Sequence, residues 1–219
     1  MSNEKQSSKS RESNLHEYSD IEHRILDAAR EVFIRKGYDS ATMGDIALLA
    51  GMSRTSVNYY FRNKERLFEA IFEEIITMIL PQLVDIAGSD EPFRDKIDRI
   101  ITRYIDLLLQ KPNLPVFLAR EIHRDPHHVL DIVLSRLQPY DVPGKLMRQM
   151  EKEMEQGNLK RIPAADITTT MIGSIAFPMI AKELLTCLFF DDDPDKFIEY
   201  YKGRRELTMG ILRNLLKPE

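Results

Sequence analysis

The sequence has almost nothing with which to cross-link its fold, since its 219 residues include a single cysteine, Cys187. One cysteine cannot form an intramolecular disulfide. Because Leu188 and Phe189 follow it, we expect Cys187 to be buried and reduced, as in a cytoplasmic protein. No stretch approaches the roughly 18 consecutive apolar residues of a transmembrane helix. Residues 1–15 are polar, lack the apolar segment of a signal peptide and are predicted to form a disordered tail.

An excess of positive charge is also missing. The chain has 31 Lys and Arg against 35 Asp and Glu, a net charge of −4. This balance excludes a protein that coats nucleic acid through bulk positive charge, but it leaves room for a small local patch that contacts DNA.

Signals for β-strands are absent as well. No window alternates apolar and polar residues, and no Asn-Gly or Asp-Gly hairpin turn occurs. Apolar residues instead recur at spacings of three and four, which predicts an all-α fold. Gly37 is predicted to end the first helix with a left-handed cap, and Pro81 to kink or end a later one. The last two helices are predicted over about 164–190 and 194–216, with Asp193 as the cap of the second.

The segment 42–61 has the pattern of two short helices joined by a tight turn. Thr42 and Asp45 have the spacing of a capping box, Gly51 suits a turn that needs positive φ, Ser53 can cap the next helix and Val57 can anchor it. This pattern predicts a helix-turn-helix. The second helix would present side chains suited to phosphates and base edges, namely Arg54, Thr55, Ser56, Asn58 and Tyr59.

The charge around this segment distinguishes a DNA-binding helix-turn-helix from an ordinary pair of packed helices. A Gly-Met-Ser connection between helices is common, so the pattern alone also fits an ordinary helical pair. Between residues 46 and 68, however, four basic residues oppose only Glu65, which gives a local net charge of +3. A basic patch on an acidic protein favours targeted DNA binding.

Several residues at fixed spacing carry a more specific signal: Ala28, Ala29, Phe33, Gly37, Tyr38, Thr42, Asp45, Ile46, Ala47, Gly51, Met52, Ser53, Tyr60, Phe61, Lys64, Glu65 and Leu67. In these residues, segment 25–68 resembles the N-terminal domain of TetR-family transcriptional regulators. The resemblance implies a three-helix helix-turn-helix DNA-binding domain over residues 16–66, followed by a helical ligand-binding and dimerisation domain over 67–219. It also implies a repressor that binds a palindromic DNA operator as a homodimer and is released by a small-molecule effector.

The resemblance also assigns DNA contacts, with one departure. Lys64, at the start of a helix capped by Asn63, is implied to contact a phosphate, and the alternative is a solvated lysine. The family usually has Tyr where this chain has Asn58. The aromatic phosphate contact is therefore expected at Tyr59 or Tyr60, and Asn58 could bind an adenine edge. The predicted DNA-binding residues are Thr42, Ser53, Arg54, Thr55, Ser56, Asn58, Tyr59, Tyr60 and Lys64.

By the same resemblance, the last two helices would pair with those of a second copy. A helix that is apolar on more than one face must bury more than one face, which supports this prediction, and the alternative is a monomer with a central helix. The predicted interface residues are Ile175, Phe197, Tyr201, Thr208, Ile211, Leu212 and Leu215. Pro178 should kink its helix and free a carbonyl near Ser174, either opening a cavity or simply fitting the bundle.

A ligand pocket is implied between the middle helices, and ten methionines would suit an adaptable apolar lining. The candidate liners are Tyr104, Phe117, Met147, Met150 and Met171, each of which could equally be ordinary core. His123 and His127 are four residues apart, but Pro126 interrupts the helix that would pair them, so a polar turn is favoured over a metal site.

Other functions find little support in the sequence. It shows no nucleophile–base pair, no paired carboxylates in an apolar setting and no glycine-rich phosphate loop, which argues against an enzyme and against a cofactor. An α-helical enzyme or carrier that merely contains a helix-turn-helix is therefore a weak alternative. A stronger alternative is a helix-turn-helix regulator that answers to a protein partner instead of a small molecule.

Overall fold

The computed structural model describes residues 18–218, and the predicted tail, residues 1–15, lies outside them. The described chain is helical with no strand, which confirms the all-α prediction. A short 3-10 turn, Gln138–Tyr140, joins two of the helices. In chain order the helices are α1 (Asp20–Lys36), α2 (Met43–Ala50), α3 (Arg54–Tyr60), α4 (Lys64–Gly88), α5 (Phe93–Gln110), α6 (Leu114–Arg124), α7 (Pro126–Leu137), α8 (Val142–Glu155), α9 (Ala164–Ile180), α10 (Lys182–Phe189) and α11 (Pro194–Leu215).

Local caps fix the helix ends. The predicted caps at Asn63 and Asp193 are confirmed, because each side chain accepts a hydrogen bond from a backbone N–H of the helix that follows. Gly37 ends α1 through its own N–H, which donates to the Phe33 carbonyl. Its φ is 78° as expected, but its ψ of 160° is extended, so the left-handed cap predicted there is wrong. The extended ψ directs the chain away from α1 towards α2.

Pro81 neither ends nor breaks α4, which continues to Gly88. Proline has no N–H to donate to the Thr77 carbonyl, four residues earlier, so the helix loses one hydrogen bond. Leu80 and Ile86, on either side of the proline, are 3% and 1% exposed. Their burial against neighbouring helices offsets the lost bond and keeps α4 continuous.

The predicted helix over 164–190 is instead two helices, α9 and α10, bent by 74° around Ala181. Pro178 lies three residues before the bend and leaves the Ser174 carbonyl without its usual partner. As predicted, this carbonyl lacks a backbone partner within its helix, and Nε and Nη2 of Arg204 on α11 donate to it at 3.1 and 2.8 Å. No single helix within residues 18–218 is long and apolar enough to cross a membrane; only the bent pair of α9 and α10 reaches that length and hydropathy together.

A continuous core joins α1–α3, called here the three-helix domain, to the helices that follow. Inside the domain, Leu26 and Phe33 of α1 pack against Ile46 of α2 and Val57 of α3, all four nearly inaccessible to water. The Phe33 ring also lies 6.4 Å from the ring of Phe117 on α6. The position of the three-helix domain therefore depends on α6 as well as on the covalent link through α4.

Candidate nucleic-acid interface

The start of α2 is fixed by a capping box, as the sequence predicted. The Asp45 N–H donates to Oγ1 of Thr42 at 3.1 Å, and the Thr42 N–H donates to Oδ2 of Asp45 at 3.1 Å. Hydrogen bonds from Lys36 and Thr42 lower the pKa of Asp45, so the carboxylate stays ionised at neutral pH. The Thr42 hydroxyl also donates to Oδ2 of Asp45, so its first role is to cap α2.

The turn between α2 and α3 has the predicted geometry. Gly51 adopts the left-handed conformation, with φ 66° and ψ 36°, which glycine reaches at low cost. Ser53 then caps α3 by accepting the Ser56 N–H at 3.0 Å. Val57 is completely buried and holds α3 against α2. At the end of α2, Ala50 faces inward and is 6% exposed, while Leu49 is 42% exposed.

The outer face of α3 is polar and open to solvent. Arg54, Thr55, Asn58 and Tyr59 are exposed, and Tyr59 reaches 83%. The Ser56 hydroxyl is half-buried and shares a 2.8 Å hydrogen bond with the Ser53 hydroxyl. The exposed side chains together offer a guanidinium, a hydroxyl, a planar amide and a phenol within two turns of helix. This combination can contact both phosphates and base edges.

Tyr60 and Phe61, at the end of α3, lie in different environments. Phe61 is 6% exposed and packs in the core, whereas Tyr60 is half-buried and its ring meets that of Tyr59 edge-on at 5.3 Å. Arg54 and Arg62 are exposed, and neither has an ion-pair partner among residues 18–218. Two unpaired guanidinium groups beside α3 make this surface positive.

Lys64 is more constrained than the sequence suggested. Its Nζ donates to the backbone carbonyls of Tyr38 at 2.6 Å and Asp39 at 3.1 Å, and it lies 4.4 Å from the centre of the Tyr38 ring. Lys64 therefore ties the start of α4 to the connection between α1 and α2. An ammonium group has three N–H donors, so one remains for a phosphate.

The single chain buries most of the side chains that were predicted for the dimer interface. Ile175, Phe197, Tyr201, Thr208 and Leu212 are at most 1% exposed, and the Tyr201 hydroxyl donates to the Ile175 carbonyl at 3.1 Å. These five side chains pack inside their own chain, where they offer no surface to a partner. Of the seven predicted residues, Ile211 is 39% exposed and Leu215 is half-buried.

A different set of apolar side chains on α9–α11 is exposed. Of the 17 exposed large apolar side chains among residues 18–218, nine lie there, which concentrates them on the last three helices. Cys187 is exposed among them, so its predicted burial is wrong for the single chain. Residues 167–181 contain no charged residue, a signal that the sequence did offer. We call this surface the C-terminal apolar face; it consists of Ile172, Phe177, Ile180, Leu184, Leu188, Phe189, Tyr200, Leu207 and Ile211.

The five predicted pocket residues lie on four helices, α5, α6, α8 and α9. Phe117 is buried beside α1, Met150 is buried on α8, Met147 is 41% exposed and Met171 is half-buried on α9. Burial raises the pKa of Tyr104 on α5 to about 12. None of the five lines the four clefts described within residues 18–218, and all except Met147 belong to the helical core or pack against it.

The most apolar of these clefts lies between α4 and α5 and has a volume of 320 Å³. Apolar and polar side chains share its lining: Met78, Ile79, Leu107, Leu109, Gln82, Arg103, Asp106 and Gln110. Outside this cleft, the ring of His128 on α7 stacks on the ring of Phe68 at 5.7 Å. Within residues 18–218, no group of His, Cys, Asp and Glu is arranged to hold a metal ion.

Comparison with known proteins places this geometry among bacterial regulators. Residues 25–71 match the model of bacterial regulatory proteins of the tetR family. The chain is 26% identical over 100 residues to the fatty acid metabolism regulator protein of Bacillus subtilis, covering 46% of this chain and 52% of that protein. It is 30% identical over 116 residues to the biofilm operon icaADBC HTH-type negative transcriptional regulator IcaR of Staphylococcus epidermidis, covering 50% and 61%.

A solved structure extends the likeness along most of the chain. The transcriptional regulator FadR from Bacillus subtilis, in complex with stearoyl-CoA, superposes with a TM-score of 0.57 over 85% of this chain and 97% of that one. At 19% identity, this likeness shows a shared fold. By sequence, the chain spans about half the length of the curated relatives it matches.

Proposed function

Because the chain belongs to the TetR family through its N-terminal domain, we propose that it is a transcriptional regulator in which α3 enters the major groove of DNA. The exposed polar face of α3, held by the caps at Thr42 and Ser53, carries this proposal. The proposed DNA-binding domain covers residues 16–66 and the ligand-binding and dimerisation domain 67–219, with the boundary inside α4. A regulator of this kind works in the cytoplasm, and the proposal includes no enzymatic activity and no cofactor.

We propose further that the protein acts as a homodimer on a palindromic operator. The C-terminal apolar face supports this proposal, because nine exposed apolar side chains and the uncharged segment 167–181 need a covering surface. On α11, Gly203 and Gly210 flank Leu207, and a Cβ added to either glycine would have no atom of another helix within 4 Å among residues 18–218. Two copies of α11 could therefore approach each other closely. A two-fold symmetric dimer binds two half-sites in opposite orientations.

The proposed regulator is a repressor that a small molecule releases from DNA. One relative is named a negative regulator and one structural neighbour holds stearoyl-CoA. An acyl-CoA is therefore the first effector to test. If it binds the folded protein, stearoyl-CoA should raise the thermal unfolding midpoint and displace operator DNA. Free CoA is the control for its polar part. The absence of both effects would remove this effector.

A regulator that answers to a protein partner is the second candidate. The exposed apolar side chains Ile122 on α6 and Leu130 and Leu134 on α7 favour it, since they lie on helices other than those of the C-terminal apolar face. If this candidate is right, metabolites should leave DNA binding unchanged. Leu130→Glu should then abolish regulation in cells without weakening DNA binding in solution.

Asn58 is expected to contribute base specificity. It lies four residues after Arg54 and therefore on the same exposed face of α3, where its amide matches the edge of adenine. Asn58→Ala should cost about 1–3 kcal/mol on the preferred operator and relax base preference at one symmetric pair of positions. Selection of bound DNA from a random pool, with parent and variant side by side, measures this. Identical preferences at every position would leave Asn58 without a base contact.

Lys64→Ala separates a phosphate contact from a structural role. If the ammonium contacts a phosphate, the variant should weaken binding to all sequences and reduce the salt dependence by about one unit per protomer. Lys152→Ala, an exposed lysine on α8, controls for the change in net charge. A weaker complex with an unchanged salt dependence would instead assign Lys64 to holding the Tyr38 and Asp39 carbonyls.

A further inference from the structure

Helix α6 contacts both the three-helix domain and one of the helices that carry the C-terminal apolar face. It packs against α1 of the three-helix domain on one side and against α9 on the other. Helix α9 carries part of the C-terminal apolar face. The orientation of the three-helix domain relative to that face is therefore set through α6 as well as through the covalent link of α4.

Side chains of α6 and of the connection before it contact α1, α4 and the connection that follows α1. Before its first turn, Nζ of Lys111 lies 3.1 Å from Oε1 of Glu74 and 3.6 Å from Oδ1 of Asp27. At its centre, Phe117 is buried against Phe33. At its last residue, the guanidinium carbon of Arg124 lies 4.3 Å from the centre of the Tyr38 ring.

The contact of Arg124 with Tyr38 differs from ordinary core packing because a hydrogen bond orients the guanidinium group. Nε of Arg124 donates to Oε2 of Glu121 at 2.7 Å, and Glu121 is only 2% exposed. A buried carboxylate with one cationic partner holds that partner in place. The guanidinium is thereby fixed over the Tyr38 ring in the geometry of a cation–π interaction.

Tyr38 is the point where three elements meet. It follows Gly37 in the connection between α1 and α2, its ring receives Arg124 from α6, and Lys64 from the start of α4 contacts both its ring and its carbonyl. A shift of Tyr38 would displace α2, and α3 would move with it. The side chain of Arg124 is 29% exposed, so it can be replaced without opening the core.

We propose that Arg124 is a positioning residue, held by Glu121, that fixes the three-helix domain to α6 through the ring of Tyr38. The contacts stand independently of the proposed function, but the consequence for operator binding rests on it. Loss of Arg124 should let the domain sample a wider range of orientations while every helix stays folded. Specific DNA affinity should then fall because α3 is less often in the productive orientation.

Distances between spin labels in the full chain test this inference. One spin label is attached at Leu48→Cys on α2 and the other at Met147→Cys on α8, and both sites are exposed. Cys187 is replaced by serine so that it is not labelled. The distance between the labels then measures the position of the three-helix domain relative to α8. Dilution with unlabelled protein removes distances between copies. Arg124→Ala should broaden the distribution, and Arg136→Ala, which removes an arginine paired with Glu73 on the neighbouring helix, should not. A distribution for Arg124→Ala that superposes on that of the parent would overturn the inference.

Two further measurements keep the outcome decisive. Glu121→Gln should broaden the distribution less than Arg124→Ala, and should add nothing in the Arg124→Ala background, because it acts through Arg124. Additive broadening in the double variant would contradict the proposal that Glu121 acts through Arg124. If Arg124→Ala fails to fold, the distance distribution of the single Glu121→Gln variant tests the proposal. Operator affinity of Arg124→Ala should fall about 3- to 10-fold. If the parent bound no DNA at all, the proposed function would fail while the distance result still decided the role of Arg124.

Discussion

Replacing Leu207 and Ile211 together by glutamate is expected to convert the protein from dimer to monomer and to abolish operator binding. These residues lie one turn apart on α11 and are 49% and 39% exposed. In the proposed dimer they are covered by the partner, so two carboxylates per chain would lose their hydration without gaining a counter-ion. A monomer keeps only one half-site contact, and operator affinity should fall by about 10²- to 10⁴-fold.

Sedimentation at the concentration used for DNA binding measures this effect. Leu134→Glu on α7 is the matched control, since Leu134 is 43% exposed and lies outside the C-terminal apolar face. Leu212→Glu would be a misleading choice, because Leu212 is 1% exposed and its replacement would disrupt the core of the single chain. A dimer that persists in the double variant, with helical content unchanged, would move the interface to another surface.

Glu74→Ala is expected to lower the free energy of unfolding by about 3–5 kcal/mol, as the loss of one partner in a buried ion pair typically does. Oε2 of Glu74 lies 2.7 Å from Nη2 of Arg30, and the two side chains are 5% and 7% exposed. Lys111 lies 3.1 Å from the other carboxylate oxygen. Without Glu74, Arg30 stays buried with only Asp27 as a partner, at 2.8 Å and itself 59% exposed.

Glu73→Ala, one residue earlier on α4, provides the matched control. Glu73 is 22% exposed and pairs at 3.1 Å with Arg136, which is 44% exposed. Its loss should cost about 1 kcal/mol or less, as for most solvated ion pairs. Urea unfolding measures the free energy of unfolding of both variants, and one fixed protein concentration keeps the contribution of dimer dissociation the same for both. Equal losses would contradict a specific role of the buried pair.

Local features of the fold follow directly from the sequence. The capping box of Thr42 and Asp45, the turn at Gly51 and the caps at Ser53 and Asn63 each depend on residues within a few positions of one another. Their hydrogen bonds form wherever the backbone makes that turn. The helix-turn-helix was therefore predictable in detail, including the direction of its exposed face.

Long-range features were not predictable in the same way. Helix α11 is apolar on two faces, and only its packing on α5 and α9 decides that Tyr201 and Leu212 face inward while Leu207 and Ile211 face outward. Periodicity locates a stripe but does not say which of two stripes is covered by the chain itself. For this reason five of the seven side chains predicted for the dimer are ones that the single chain buries in its own core.

The charged network around Glu74 and the contact of Arg124 with Tyr38 were missed for a related reason. Their members lie far apart in the sequence, and ion pairs leave no periodic pattern. One signal was present, since Glu74 lies among Ile71, Phe72, Ile75 and Ile76 in an otherwise apolar stripe. A carboxylate inside such a stripe needs a buried partner, although the sequence does not say which cation supplies it.

Selection of bound DNA from a random pool by the full chain tests the central claim most directly. A dimer that places one α3 in each of two major grooves predicts a two-fold symmetric sequence, with half-site centres about 10 base pairs, or a multiple of this spacing, apart. Recovery of such a palindrome would establish both DNA binding and the symmetry of the assembly. Enrichment of a single asymmetric half-site would contradict the dimer, and the absence of any enriched sequence would contradict the regulator.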